Sequence, residues 1–365
     1  MAKGVACMAI VWHHLAFYGP MSDIAQPLAP GLMAWLYDHG RMAVQVFLVL
    51  GGYLAALSLA PQGAARFDSA GMVVFRRFVR LVVPYAVALL LAVLVAALVR
   101  PFTDHDSVPE APTFAQLLAH ALLLQDITGV DALSAGVWYV AIDFQLFTLT
   151  VLLLAGVRAL PGAAARHGPV LARVLLVAGT AASLLYFNRQ PDMDVWAWYF
   201  FGSYGLGMMA CWAVQSPRAT GWLALIVLLG GVALALEFRG RIAVALVTAV
   251  LLVGAVRLAR SSRWQGVAPL GTMGPLVRLG QMSYSVFLVH FAVCLLVNTV
   301  VGGLFPAAPW INALGMVLAF GLSLVAGRAL YQRVERHLPT GSVALRWQAG
   351  LLGVGMLVGI VSEWA

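Results

Sequence analysis

Four ionisable side chains stand inside long apolar runs of the chain: His13 and His14, Asp143, and His290. A titratable group at membrane depth is costly, so it faces the interior of a helix bundle and is a candidate for function by default. Two imidazoles and a carboxylate are the parts of a general base with a partner that orients it. A second group of residues is cationic. Arg76 and Arg80 are four apart and share a helix face, with Arg77 beside them. Guanidinium groups bind phosphate through paired hydrogen bonds, so this cluster has the makings of an anion cradle. Its plainer reading is a charged membrane boundary or a contact with lipid headgroups.

Spacing relates the two groups. Lys3 and His14 are about three turns apart on one helix and lie on one face, separated by roughly 16 Å of rise, whereas His13 points about 100° away. Entering from the cytoplasmic side, His290 lies about 14 Å deep; Asp143, entering from the other side, lies roughly 9 Å from that face. In a hydrocarbon core of about 30 Å His14, Asp143 and His290 fall at comparable depth. The plain alternatives are a snorkelling Lys3 and a core histidine bonded to a backbone carbonyl.

These residues require elements that span a bilayer. Of 365 residues, 62% are hydrophobic and only 10% charged, with a mean hydropathy of +0.92. A soluble domain carries about 25% charged residues, so a soluble enzyme, a disulfide scaffold and a disordered chain are excluded. The composition predicts an all-α, polytopic transmembrane helix bundle of about 10–11 spans. Apolar runs place the spans at 3–18, 42–60, 81–99, 137–157, 170–187, 195–214, 221–236, 242–256, 281–302, 309–330 and 345–361. The run Phe114–Leu124 is too short to cross and reads as a helix on, or dipping into, the surface. Trp138-Tyr139 reads as an interfacial aromatic belt, and Gly51-Gly52 as a point of close helix packing. The first apolar stretch reads as a retained helix, because His13-His14 interrupts it and no cleavage site follows.

Orientation follows from the cations. With a cytoplasmic N-terminus, all of the 22 Lys and Arg except Arg41, Arg100, Arg189, Arg239 and Arg241 fall inside, Arg263 among them. Asp104, Asp106, Glu110, Asp126, Asp131, Asp192 and Asp194 fall outside. The net charge of +8 is thereby explained by topology, and no nucleic-acid partner is expected. Cys7, Cys211 and Cys294 lie in apolar runs and give no reason to expect a metal or a disulfide. No internal repeat of the kind common in transporters is evident. The abundance of Ala and the excess of Arg over Lys suggest a bacterial source.

The order of motifs adds a further layer. Lys3 is followed eleven residues later by His14. Then come Val46-Phe47-Leu48-Val49-Leu50-Gly51-Gly52-Tyr53-Leu54, Arg76-Arg77-Phe78-Val79-Arg80 with Pro84, and Trp138, Asp143 and Phe147. Ser283-Tyr284-Ser285-Val286-Phe287-Leu288-Val289-His290 and Val334-Glu335-Arg336 complete the set. This series resembles the integral-membrane acyltransferase 3 family, and it departs from that pattern in three places. Lys3 stands where the family has Arg, Gly51 where it has Ser, and Asp143 where it has Glu. The resemblance implies an acyltransferase domain over residues 1–336, with 337–365 an additional transmembrane helix. It implies transfer of an acyl group, usually acetyl from acetyl-CoA, to a hydroxyl of an extracytoplasmic carbohydrate or other cell-surface molecule, in a bacterial inner membrane.

Together the readings assign catalysis to His14, Asp143 and His290, and binding of the donor's phosphates to Lys3, Arg76, Arg77 and Arg80. His14 is the general base, oriented by Asp143 or His290, with no metal. The rival reading is a proton-coupled transporter or exporter that uses His14, Asp143 and His290 as a relay. A non-catalytic family member is a third.

Overall fold

The computed structural model describes residues 1–162, 166–260 and 274–364; Arg263 lies outside them. Among the described residues the chain is 82% helical with no strand. The main helices are α1 (Ala2–Phe17), α2 (Met21–Ala25), α3 (Pro30–His39), α4 (Val44–Leu59), α5 (Ala70–Val99), α6 (Phe114–Ala121), α7 (Gln125–Thr128) and α8 (Trp138–Arg158). They continue with α9 (Gly168–Leu185), α10 (Ala197–Gln215), α11 (Ala219–Leu236), α12 (Gly240–Arg260), α13 (Gly274–Gln281), α14 (Ser283–Val297), α15 (Pro309–Leu330) and α16 (Gly341–Trp364). A helix stands at each of the eleven expected spans. Nine helical stretches among the described residues are long and apolar enough to cross a membrane. The two expected spans outside that set are α1, which has only 16 residues, and α10. All but two of the 19 residues of α10 are buried, so it has little lipid-facing surface to be apolar for.

The chain divides into two compact units. The first comprises Met1–Arg41, Phe78–Ala141 and Met273–Ala365. Here α1 packs on α3, α13 and α14, and α14 packs on α15. Small residues let the backbones meet. A side chain at Gly4 would strike the Leu276 carbonyl on α13, and one at Gly327 of α15 would overlap Val286 of α14. Asn298, in a π-helical turn that extends α14, ties down the end of α1. Its Nδ2 donates to Tyr18 O at 3.0 Å, and its Oδ1 accepts from Met21 N at 3.2 Å.

The segment expected on, or dipping into, the surface runs along α16. Helix α6 starts in a reciprocal cap between Thr113 and Gln116, and its partners on α16 descend in register. Arg100 Nη1 donates to Ser362 Oγ at 3.0 Å, Gly359 meets Pro112, Gly355 meets Leu117, and Gln348 Nε2 donates to Ala121 O at 2.7 Å. Ser362 to Gln348 spans about 21 Å of helix rise. The segment therefore follows α16 over much of that helix's length, and it returns through α7 to the start of α8.

The second unit comprises Met42–Arg77 and Ile142–Thr272. It is built around α10, which packs on α4, α9, α11 and α12. Two glycines bring α4 and α10 into backbone contact. A Cβ at Gly52 would collide with the Tyr204 carbonyl, and one at Gly207 with the Val49 carbonyl. Gln45 and Ser203 pair across the same contact, Oγ donating to Oε1 at 2.6 Å.

Candidate active site

In the first unit, α1 and α14 bring the two histidines together. His14 Nδ1 lies 2.6 Å from His290 Nε2, and the rings stack nearly parallel with centroids 4.8 Å apart. His290 is fully buried and His14 nearly so. One further contact sets the protons. His290 Nδ1 lies 2.6 Å from Phe287 O, and a carbonyl only accepts, so that nitrogen carries the hydrogen. His290 Nε2 then holds a lone pair and accepts from His14 Nδ1–H. The neutral His14 is left with its own lone pair on Nε2. A backbone carbonyl thus fixes which nitrogen of the second imidazole is basic.

Surrounding groups hold the pair in place. Tyr18 packs edge-on against Phe291, and its ring lies 5.6 Å from that of His14. Gly136, with φ of +75°, passes over the site. A Cβ there would lie 3.4 Å from His14 Cε1 and 2.7 Å from Phe287 Cζ. Only glycine suits both that backbone conformation and that approach. His13 belongs to a different environment. Its Nδ1 donates to Leu36 O at 2.9 Å, which makes it a structural link between α1 and α3.

Asp143 lies in the second unit, where its carboxylate pairs with Arg77 and the Arg77 guanidinium also lies 5.1 Å from the Phe147 ring centre. Of the two orienting partners expected for His14, the structure thus joins His290 to it and gives Asp143 the guanidinium of Arg77. This explains the spacing of Asp143 and Phe147: carboxylate and ring, four residues apart on α8, receive one cation together. At Gly51 a Cβ would lie 3.7 Å from Asp143 Oδ1 and 3.4 Å from the Tyr204 ring, so a serine there would bring its hydroxyl to the carboxylate. Arg76 is exposed.

The other two expected anion-binding residues, Lys3 and Arg80, belong to the first unit. Both lie within electrostatic reach of Glu335. Glu335 sits in a π-helical turn, Tyr331–Glu335, that extends α15. Its Oε2 accepts from Ser285 N at 3.1 Å and Ser285 Oγ at 2.5 Å, at the start of the helix that carries His290. The first-unit residues of four motifs meet here: Lys3, Arg80, Ser285 and Glu335. Sequence reasoning quoted Glu335 as part of a motif but gave it no role. Its only sequence signal was a carboxylate among the cations at the end of an apolar helix.

Among the described residues no set of three His, Cys, Asp or Glu side chains is arranged to hold a metal ion. No curated protein and no solved structure matches the chain. A family model, described as an acyltransferase domain, matches residues 1–328. That stretch carries α1 to α14, all but the last two residues of α15 and both histidines of the pair, and the chain belongs to the acyltransferase 3 family of membrane acyltransferases.

Proposed function

We propose that the protein transfers an acyl group, acetyl in the simplest case, from cytoplasmic acyl-CoA to a hydroxyl of a carbohydrate or other acceptor at the far face of a bacterial inner membrane. The observation that carries this reading is the His14–His290 pair with its carbonyl-fixed protons. His14 Nε2 takes the proton of the acceptor hydroxyl as the oxygen attacks the thioester carbonyl carbon. The C–O bond forms and the C–S bond breaks. The proton on His14 then passes to the departing CoA thiolate. During the step the imidazolium is held by its Nδ1–H bond to His290 Nε2, a charge-assisted bond stronger than its neutral counterpart.

Donor binding is assigned to the cations. Lys3 and Arg80 face the donor's phosphates, with Glu335 as the counter-ion that aligns them, and Arg76 and Arg77 extend the basic surface of α5. Asp143 holds Arg77 through its carboxylate.

The test uses purified protein in liposomes with labelled acetyl-CoA supplied on one side and candidate hydroxyl acceptors on the other. Label should reach an acceptor with wild-type protein, and His14→Ala should lower the rate about 10²- to 10⁴-fold. Proton-coupled solute flux without any labelled product would establish the transporter reading instead.

A further inference from the structure

The family match ends at residue 328, so α16 lies beyond it. Its membrane-facing character is pronounced, since only 17% of its apolar window is buried. The buried share is nevertheless ordered. Ala344, Leu351, Gly355 and Gly359 are buried and Gln348 half-buried, a spacing that marks one helix face. That face receives the segment of α6 through Gln348, Gly355 and Gly359, as described above.

The same segment leads to the histidine pair. Beyond α6 the backbone turns at Leu123 with φ of +57°, and Gln125 Nε2 donates to Val137 O at 3.3 Å. His120 closes the other side, Nδ1 donating to Gln116 O and Nε2 accepting from Leu133 N at 3.2 Å. Val137 adjoins Gly136, whose backbone lies against His14 Cε1 and Phe287. An unbroken series of contacts thus runs from α16 to the ring proposed as the base. Gln125 Oε1 and Ser134 Oγ, on the same stretch, are buried without a hydrogen bond in the chain.

We propose that α16 is a positioning element for the active site, with Gln348 and Gly355 as its positioning residues. They hold α6 at its depth, and α6 in turn sets where Gly136 meets His14. This rests on the reading of His14 as the base, so its test includes a measurement that needs no turnover.

Gly355→Ala places a methyl 2.6 Å from Leu117 Cδ2, which pushes on α6 through a side-chain end. Leu117→Ala removes the obstacle, so the double variant should recover. Gly353→Ala meets open space and serves as the control. In full-length protein in nanodiscs, Gly355→Ala should raise amide exchange across 114–137 and change the rate at which diethyl pyrocarbonate modifies His14. It should also lower kcat about 10- to 100-fold, the scale of an ångström-sized misplacement, with KM for acetyl-CoA unchanged. Adding Leu117→Ala should reverse all three, and Gln348→Ala should act in the same direction as Gly355→Ala. If exchange across 114–137 rises while His14 reactivity and kcat stay at the wild-type level, the proposal is overturned. Unchanged exchange in both Gly355→Ala and Gln348→Ala overturns it as well. If the wild type transfers no acyl group, the acyltransfer reading fails, and His14 reactivity alone decides the positioning role.

Discussion

At the scale of single residues, the structure separates groups that the sequence presents alike. His13 and His14 are neighbours of one type, yet the first is consumed by Leu36 O and the second faces another imidazole. His290→Ala removes the acceptor for His14 Nδ1–H. A hydrogen bond to a charged group is worth about 1.5–3 kcal/mol, so kcat should fall about 10- to 100-fold, with a smaller effect on KM for the donor. Asp143→Asn leaves Arg77 facing a neutral amide, and melting measurements should show a loss of about 1–3 kcal/mol. Gly51→Ser adds a donor for the same carboxylate and removes a flexible residue from α4. It should stabilise the protein by about 1 kcal/mol. Glu335→Ala strands both donors of Ser285 and should lower the melting temperature more than Glu335→Gln, whose amide oxygen still accepts. Equal losses would count against the hydrogen-bonded role of Glu335.

At the scale of elements, packing depends on where side chains are missing. Gly52→Val and Gly207→Val each drive a side chain into a facing backbone carbonyl and should cost about 1–3 kcal/mol or more. Gly231→Ala, which meets nothing within 4 Å, should be neutral or mildly stabilising. The helices themselves were legible in the sequence because apolar transfer is a local property: each run of Leu, Val and Ala declares its own span. Their partners were not, since neither His14 nor His290 encodes that α1 and α14 touch. Asp143 shows the limit. Depth arithmetic grouped it with two imidazoles, and no spacing along the chain announced its ion pair with Arg77, 66 residues earlier. The run from Phe114 illustrates a second limit: its length excluded a crossing, but its partner, α16, meets it through glycines about 240 residues further on.

For the whole molecule, the charge asymmetry is the strongest sequence argument for an orientation, and it predicts a cytoplasmic N-terminus. Single cysteines at Ser342 and Asp106, in a background with Cys7, Cys211 and Cys294 replaced, make that orientation measurable. An impermeant maleimide added to intact spheroplasts should label Asp106→Cys and reach Ser342→Cys only after permeabilisation; the opposite pattern would reverse the orientation. The histidine pair bears on the chemistry, through where its hydrogen bonds stop. Behind His290 stands the Phe287 carbonyl, which can hold a hydrogen bond but cannot take the proton and pass it on. In the proposed transfer, a proton that enters at His14 Nε2 therefore leaves by the same nitrogen. That step has one proton in flight, so rates in mixtures of light and heavy water should fall linearly with deuterium content.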